Sequence, residues 1–501
     1  MSFRREVGLG LFWVTVSAIA LKGVSMVRDM ILARWLMPDE LGLVATATIA
    51  VSALELFAEL GFSSALIYRK DDVDKAANTA FILVIINCLI LYGIAWVAAP
   101  YVAEFFSNQI EGATELLTRV LRVLALTMVL ASFGEVPLTL LTKGLGFKRR
   151  VLPEMIAGLS GTAVSIVLAF MQKGVWAIVF GRVITSLLMS ILVWFFCDWR
   201  PKLSFDRGMA KELWDYGRHI IGSQVLVFGI TNIDNAMVAK YVGQAALGGY
   251  WLAYKLSNLP ATEIGRVVGR VMFPTYSRVQ GDLVRLRQVF LKSAKFVALV
   301  AFPVAAITAV FAPDFMVVAY GGKFPFAVVP LQLLTIYGLA RAIAGTMGSV
   351  FKAGGKPKWL VYIAIWRLIT MASLLYPAIQ WRGITGVAIL SAAVAIVDFA
   401  ISLTLTNRII KAHWLSYLRI FVPMAVASLG TALATHPFYV WITEYIHPFI
   451  TLPLCGGLGL VIYLAIMYAY DADVRQLTTQ MRTGVVREVR LRLARRQVPV
   501  E

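Results

Sequence analysis

About fourteen apolar stretches of roughly 20 residues run through the sequence, and they constrain the fold more than any other feature. A stretch of this length crosses the hydrocarbon core of a bilayer as an α-helix, whose backbone hydrogen bonds are satisfied internally. Only 15% of the 501 residues are charged and 59% are hydrophobic, whereas soluble domains carry about 25% charged residues. We therefore predict an all-α polytopic membrane protein with about 14 transmembrane helices. The predicted spans are residues 9–36, 41–67, 78–100, 117–142, 152–171, 175–198, 213–238, 247–273, 291–312, 327–351, 359–378, 384–407, 416–434 and 449–470.

The basic residues are distributed unevenly between the two sets of predicted loops. About 31 of the 47 lie in loops on the side of the termini, and about five, including Lys173 and Lys240, lie in the opposite loops. Because cytoplasmic loops carry the excess of Lys and Arg, both termini are predicted to be cytoplasmic. The net charge of +19 is therefore an orientation signal at the membrane surface, and we expect no nucleic acid partner.

The sequence lacks the motifs of several enzyme and metalloprotein classes. Cys88, Cys197 and Cys455 lie in or at the ends of apolar runs without CxxC spacing, so we predict neither a disulfide framework nor a metal site. The predicted loops contain no Walker A sequence and no large domain, which argues against an ATPase. We expect no cofactor. The first apolar run continues past Lys22 to Leu36, which favours an uncleaved first helix over a signal peptide.

One segment of the sequence is repeated at a constant offset of 206 residues. The stretch ILARWLMPDELGLV (31–44) aligns with MVAKYVGQAALGGY (237–250). Six predicted spans separate the two copies, so both copies run in the same direction across the membrane. The aligned pairs include Ala33 with Ala239, Arg34 with Lys240, Trp35 with Tyr241, Leu41 with Leu247, and Gly42 with Gly248.

The repeat predicts two parallel six-helix lobes followed by two further helices. In transporters built from such repeats, the substrate site lies between the repeats near the bilayer midplane. The predicted divisions are an N-terminal lobe (1–200, helices 1–6), a C-terminal lobe (201–412, helices 7–12), helices 13 and 14 (413–470) and a basic cytoplasmic tail (471–501).

Charged residues within the predicted spans indicate where a substrate binds. A charge at the bilayer centre costs about 2.5–3.5 kcal/mol on insertion scales, so such a residue should face a partner or a water-filled cavity. At about 100° per residue, Lys22 and Asp29 lie within about 20° of each other on the first helix. Basic residues outnumber acidic ones in the spans, which predicts a cationic cavity for an anionic substrate. The predicted substrate-binding residues are Lys22, Arg28, Arg218, Lys255, Arg266, Arg341 and Arg367.

Acidic residues in the spans are candidates for binding a coupling ion. These are Asp29, Glu55, Asp234 and Asp398. An alternative is that the charges pair internally, for example Lys22 with Glu55 or Arg28 with Asp29. Arg119, Arg122, Arg182 and Arg270 are further basic residues of the spans. Of these, Arg119, Arg182 and Arg270 are candidates for span ends, where long side chains reach the interface.

Two parts of the sequence look like parts of one known family. Residues 28–71 (RDMILARWLMPDELGLVATATIAVSALELFAELGFSSALIYRKD) resemble the first hairpin of Wzx-type polysaccharide flippases, which belong to the multidrug/oligosaccharidyl-lipid/polysaccharide superfamily. The stretches DNAMVAKYVGQAALGGYWLAYKLSNLP (234–260) and RVMFPTYSRVQGD (270–282) are similar to its colanic-acid and teichuronic-acid exporters.

The resemblance implies a fold of two six-helix lobes plus two helices in the bacterial inner (cytoplasmic) membrane. It also implies transfer of undecaprenyl-pyrophosphate-linked repeat units to the outer leaflet by alternating access. In the related lipid II flippases, basic residues of the first, second and eighth spans engage the substrate. Lys22 and Arg28 match the first span and Lys255 or Arg266 the eighth, whereas the second span offers Glu55 and Glu59, a departure that puts lipid II itself in doubt as the substrate.

We therefore predict an ion-coupled flippase for exopolysaccharide, capsule or O-antigen export, and not an enzyme. The expected partners are the lipid-linked oligosaccharide, membrane lipids and proteins of polysaccharide assembly. Two alternatives remain: a cation-coupled drug antiporter of the same superfamily, or a membrane polysaccharide polymerase or transferase.

Overall fold

The regular secondary structure of the protein is helical throughout the residues that the structure, a computed structural model, describes: 3–58, 60–107, 112–144 and 146–476. The predicted all-α class is confirmed. The helices are α1 (Phe3–Trp35), α2 (Pro38–Glu55), α3 (Phe62–Tyr68), α4 (Val73–Phe106), α5 (Ala113–Lys143), α6 (Phe147–Phe170), α7 (Trp176–Phe196), α8 (Arg207–Tyr241), α9 (Gln244–Ser257), α10 (Leu259–Val279), α11 (Leu283–Val310), α12 (Ala312–Tyr320), a 3-10 turn (Pro325–Ala327), α13 (Val328–Ala353), α14 (Lys358–Ile410), α15 (Trp414–Ile442) and α16 (Pro448–Tyr470).

The helices follow the predicted spans, and nine of those described are long and apolar enough to cross a membrane. One of the nine, α14, contains both 359–378 and 384–407, and non-helical backbone angles at Arg382 and Gly383 divide it into two parts. Gly383 has a φ of 55°, which a residue without a Cβ adopts at little cost. The polytopic membrane fold is confirmed, and a count of about 14 spans is consistent with it.

Two predicted spans are interrupted in the structure. The span 41–67 contains α2 and α3, which are separated at Gly61, where φ is 70°. The span 247–273 contains α9 and α10, and Pro260 lies at the start of α10, where its missing N–H removes no helical hydrogen bond. The first break lies in the largely apolar stretch LFAELGF (56–62), which hydropathy alone does not divide, whereas the second lies at the more polar stretch SNLPATE (257–263).

Helix starts are held by carboxylates that follow the expected capping chemistry. Asp206 Oδ1 accepts a hydrogen bond from the backbone N–H of Met209 at 2.7 Å at the start of α8. Glu40 Oε2 accepts from the backbone N–H of Met37 at 2.8 Å at the start of α2. These caps satisfy backbone donors that have no partner within the helix.

Backbone packing divides the chain into two compact units. The first unit has an apolar core that joins α2, α3, α4, α5 and α7, with Val51, Leu124 and Val179 among its buried residues. The second unit has a core between α11, α15 and α16, where Met424 and Tyr463 are buried. The predicted lobes stay a prediction, and residues 477–501 of the predicted tail lie outside the described residues. The first unit comprises Met1–Leu256, Ala319–Leu334 and Lys358–Val394, and the second Ser257–Val318, Thr335–Pro357 and Ala395–Glu501.

The sequence repeat has a structural counterpart within the first unit. Trp35 and Tyr241, which the alignment pairs, are 44% and 46% exposed. Arg34 and Lys240, also paired, each donate a side-chain hydrogen bond to a backbone carbonyl, at 3.4 and 2.6 Å. Equivalent positions of the two copies therefore have equivalent environments.

Gly61 provides a test of how closely α8 approaches the break between α2 and α3. A Cβ on Gly61 would lie 2.8 Å from the Cα of Gly217, whereas a Cβ on Gly322, which has a nearly identical φ of 72°, would meet nothing within 4 Å. We expect Gly322→Ala to lower the free energy of unfolding by about 1 kcal/mol because of its φ alone. Gly61→Ala should lower it clearly further, measured by thermal unfolding in detergent. Equal losses would show that the close approach contributes nothing.

Candidate functional site

A cavity of about 140 Å³ lies among α1, α2, α7 and α9 of the first unit. Small-molecule sites usually have volumes of about 300–1,000 Å³, so this cavity must widen before it admits a large headgroup. Its lining combines apolar side chains with a few charged ones. The lining residues are Arg28, Asp29, Leu32, Leu41, Val44, Ala45, Thr48, Ile178, Arg182, Trp251, Leu252 and Lys255.

The Asp29 carboxylate is the centre of the charged group. It is 8% exposed and forms ion pairs with two cations. Arg28, its neighbour on α1, donates from Nη2 and Nε to Asp29 Oδ1 at 2.9 and 3.2 Å. Lys255 on α9 donates from Nζ to Asp29 Oδ2. The expected internal pairing of Arg28 with Asp29 is therefore present, but it leaves Lys255 sharing the same carboxylate.

Arg182 is a third cation of the cavity, which the sequence analysis did not identify. Its Nη1 donates to Thr48 Oγ1 on α2 at 2.7 Å, and Thr48 in turn donates to the carbonyl of Val44 at 2.7 Å. Arg182 lines the cavity six residues, or about 9 Å, after the first residue of α7. Its expected place near a span end stays a prediction.

The lining thus carries an excess of positive charge. Three cations face one carboxylate, which leaves a net charge of about +2 at neutral pH. The ammonium of Lys255 also lies 4.9 Å from the centre of the Trp251 ring, a distance at which the ring face attracts a cation. Lys22 is a further charged neighbour of Lys255. Such a cavity favours a ligand with about two negative charges.

The other predicted cations are placed differently. Arg218 is exposed on α8 and lies 3.5 Å from Asp215. Arg367 is half-buried on α14 of the first unit. Arg341 belongs to the second unit, where its Nη1 donates to the hydroxyl of Tyr337 at 2.8 Å. Arg266 lies on α10, and its side chain is outside the described part of the structure.

The predicted acidic residues also separate into different environments. Glu55 is exposed and accepts a hydrogen bond from Ser52 at 3.2 Å. Asp398 is buried in the second unit and accepts from Ser402 at 3.3 Å. Glu59 lies outside the described residues. In the described ranges, no group of three His, Cys, Asp or Glu side chains is arranged to hold a metal ion.

Asp234 lies in a buried cluster of oxygen atoms between α8 and α9. It is 4% exposed, and its Oδ2 accepts from the hydroxyl of Tyr250 at 2.9 Å. Its Oδ1 accepts from the backbone N–H of Asn235 at 2.8 Å and from Asn235 Nδ2 at 3.1 Å. The amide oxygen of Asn235 is buried and has no hydrogen-bond donor in the described structure. Ser391 of α14 lies beside the Tyr250 hydroxyl.

Ion pairs hold the start of α8 against the segment that contains α3 and α4. Lys75 lies 2.7 Å from Asp206, and Arg69 lies 2.7 Å from Glu212. The hydrogen bond from Lys75 holds the pKa of Asp206 below its ordinary value, so the pair stays charged at neutral pH. Each pair contains one well exposed side chain, so solvent screens the attraction between the two charges. These ion pairs are therefore weak contacts.

A family model described as "Polysaccharide biosynthesis protein" matches residues 31–329, more than half of the chain. The chain belongs to this family. Helices α2, α7 and α9 of the cavity lie within the matched region.

Relatives of known name agree with this assignment. This chain is 27% identical over 446 residues to teichuronic acid biosynthesis protein TuaB of Bacillus subtilis. The alignment covers 87% of this chain and 91% of TuaB. The chain is 23% identical over 355 residues to lipopolysaccharide biosynthesis protein WzxC of Escherichia coli, covering 70% and 71%. The predicted resemblance is confirmed.

The solved structure of lipid II flippase MurJ in an inward closed conformation shares the fold. The TM-score is 0.74 at 14% sequence identity, over 92% of this chain and 99% of that chain. At this identity the similarity concerns the fold. It supports the predicted all-α polytopic architecture.

The Asp29 pairing predicts a measurable loss of stability. Breaking a buried ion pair from one side costs about 3–5 kcal/mol, because the remaining charge is left uncompensated. We expect Asp29→Asn to lower the free energy of unfolding by about 3 kcal/mol, and Lys255→Met in the same chain to recover part of the loss. Thermal unfolding in detergent measures both effects. Glu55→Gln, an exposed control, should change little, and an equally small effect of Asp29→Asn would contradict the pairing.

Proposed function

We propose that this protein is a flippase that moves undecaprenyl-pyrophosphate-linked oligosaccharide repeat units from the cytoplasmic to the periplasmic leaflet. The observation that carries the proposal is the cavity in which Arg28, Arg182 and Lys255 surround one carboxylate. Family membership supports it, since TuaB is named for teichuronic acid biosynthesis and WzxC for lipopolysaccharide biosynthesis. The transported units serve exopolysaccharide, capsule or O-antigen export.

The charges of the cavity suit a pyrophosphate headgroup. A pyrophosphate with about two negative charges cannot cross hydrocarbon unless protein groups replace its hydration shell. Lys255 exchanges Asp29 for a phosphate oxygen, while Arg28 keeps Asp29 as its partner on the same helix. Arg182, held by Thr48, donates two parallel N–H groups to the second phosphate, a geometry that guanidinium groups favour.

Transport proceeds by alternating access in the bacterial inner membrane, with both termini cytoplasmic. The asymmetry of basic residues between the two sets of loops supports this orientation. Because the cavity is smaller than the headgroup, its helices separate toward one leaflet and then toward the other. Proteins of polysaccharide assembly supply the lipid-linked unit on one side and use it on the other.

Removing single cavity cations should slow translocation. A hydrogen bond to a charged group contributes about 1.5–3 kcal/mol, so Arg182→Gln and Lys255→Met should each lower the rate by about tenfold or more. The rate is measured in proteoliposomes as exposure of lipid-linked oligosaccharide on the opposite leaflet. Arg149→Gln is the matched control because Arg149 is an exposed arginine that pairs with Asp198 and is absent from the cavity lining, and it should retain the parent rate.

Three outcomes of the same assay contradict the proposal. An equal loss in Arg149→Gln would remove the cavity from the mechanism. New glycosidic bonds in the recovered lipid would indicate a polymerase or transferase instead. Transport of an organic cation, without movement of the lipid-linked sugar, would indicate a drug antiporter.

The transport is coupled to a cation that binds at Asp234. A buried carboxylate, an amide oxygen without a donor and a hydroxyl are the ligands that hard cations such as Na⁺ prefer, and the carboxylate also accepts a proton. Tyr250, which contacts Asp234, lies on α9 with Lys255 of the cavity. This shared helix provides a direct connection between the ion and the substrate.

Asp234→Asn tests the coupling because asparagine keeps the shape of the aspartate side chain and removes its negative charge. The variant should translocate at the same rate with and without an imposed Na⁺ or H⁺ gradient, whereas the parent should be accelerated by one of them. Glu104→Gln removes an exposed carboxylate of the same unit and should keep the response to the gradient. An unchanged gradient response in Asp234→Asn would exclude this site.

A further inference from the structure

Helices α2 and α9 touch through their backbones at their first turns. A Cβ on Gly42 would overlap the carbonyl of Gln244 and lie 2.9 Å from its Cα. A Cβ on Gly248 would overlap the carbonyl of Pro38 and lie 3.1 Å from the backbone nitrogen of Gly42. Both glycines are buried. Neither position accepts a larger residue unless the two helices move apart.

The two contacts are equivalent, because each involves the same pair of positions in the sequence repeat with the two copies exchanged. Gly42 aligns with Gly248, and at the same offset of 206 residues Pro38 aligns with Gln244. Gly42 of α2 packs on the carbonyl of Gln244, the first residue of α9. Gly248 of α9 packs on the carbonyl of Pro38, the first residue of α2. A reciprocal contact of this kind is expected where two equivalent elements meet about a pseudo-two-fold axis.

The contact lies at one end of the cationic cavity. Leu41, next to Gly42, lines the cavity, and its Cβ would be 3.4 Å from a Cβ on Gly248. On α9, Trp251 and Lys255 follow Gly248 on the same helical face, since offsets of three and seven residues point in similar directions. The helices touch at the glycines and line the cavity over the following turns.

A side-chain hydrogen bond accompanies the glycine contact between the two helices. Thr46 Oγ1 donates to Gln244 Oε1 at 2.7 Å, and Gln244 Nε2 donates to the carbonyl of Phe106 at 3.1 Å. Both Thr46 and Gln244 are buried. Separation of α2 from α9 at this end therefore breaks one interhelical side-chain bond and the close backbone packing.

We propose that Gly42 and Gly248 form the outer gate of the cavity, closed when the two backbones touch and open when α2 and α9 separate. The proposal rests on the proposed flippase function and names the contact that seals the periplasmic side. The ion pairs at the start of α8 lie on the side predicted to be cytoplasmic, and they separate at lower cost.

Cysteine accessibility tests the gate without requiring any substrate. Ala45 lines the cavity and is buried, so Ala45→Cys serves as the reporter for a membrane-impermeant maleimide added outside intact cells. Adding Gly42→Ala or Gly248→Ala should raise the labelling rate about tenfold, because the new methyl group favours the open state. The parent chain without the reporter gives the baseline, since its three cysteines are buried.

Two controls distinguish the gate from general loosening. Gly93 is a glycine of α4 whose added Cβ meets nothing within 4 Å, and Gly93→Ala should leave labelling unchanged. The double variant Gly42→Ala/Gly248→Ala should label little faster than either single variant, because one shared contact is already open. If the two glycines acted independently, the increases in labelling rate of the two single variants would multiply in the double variant. Unchanged labelling in folded single variants, or multiplied effects in the double variant, overturns the proposal.

A second experiment adds no atom at either glycine. Thr46→Cys and Gln244→Cys in one chain should be joined by a short bis-methanethiosulfonate cross-linker, since the native side chains are in hydrogen-bond contact. The cross-linked protein should stop translocating and should recover after reduction. Continued translocation while cross-linked overturns the gate. If the alanine variants label faster but the parent moves no lipid-linked sugar, the gate stands and the proposed substrate fails.

Discussion

A charged group inside a membrane protein must have a partner, and the Asp29 carboxylate is the partner on which the cavity depends. It joins Arg28 of α1 to Lys255 of α9, two helices that are distant in the sequence. One carboxylate cannot neutralise both of these cations and Arg182 as well. The excess of positive charge among the lining residues supports the proposed anion site.

Helix α9 connects the three features that a coupled transporter needs. Gly248 forms the contact at one end of the cavity, and Lys255, on the same helical face, reaches Asp29. Tyr250 lies on the opposite face and donates to Asp234. Helix α9 has only 14 residues, and α10 begins two residues after it ends. A displacement of α9 would therefore change the proposed gate, the proposed ion site and the cavity together.

The closures at the two ends of this unit differ in their chemistry. Close backbone packing at Gly42 and Gly248 excludes water and tolerates no added atom. Exposed ion pairs such as Arg69 with Glu212 are weak and reversible. In the proposed cycle, the weaker ion pairs separate for loading and the tighter glycine contact opens for release.

The sequence by itself determined the helical membrane fold, because lipid admits backbone only when its polar groups are satisfied within each segment. It also determined the repeat and the cationic character of the spans, since Lys22, Arg28 and Lys255 are visible as charges within apolar runs. The tertiary structure decided which charges meet. Arg182 joined the cavity, Arg218 became exposed, and these outcomes follow from helix rotation and packing, which hydropathy and charge counts along one chain do not encode.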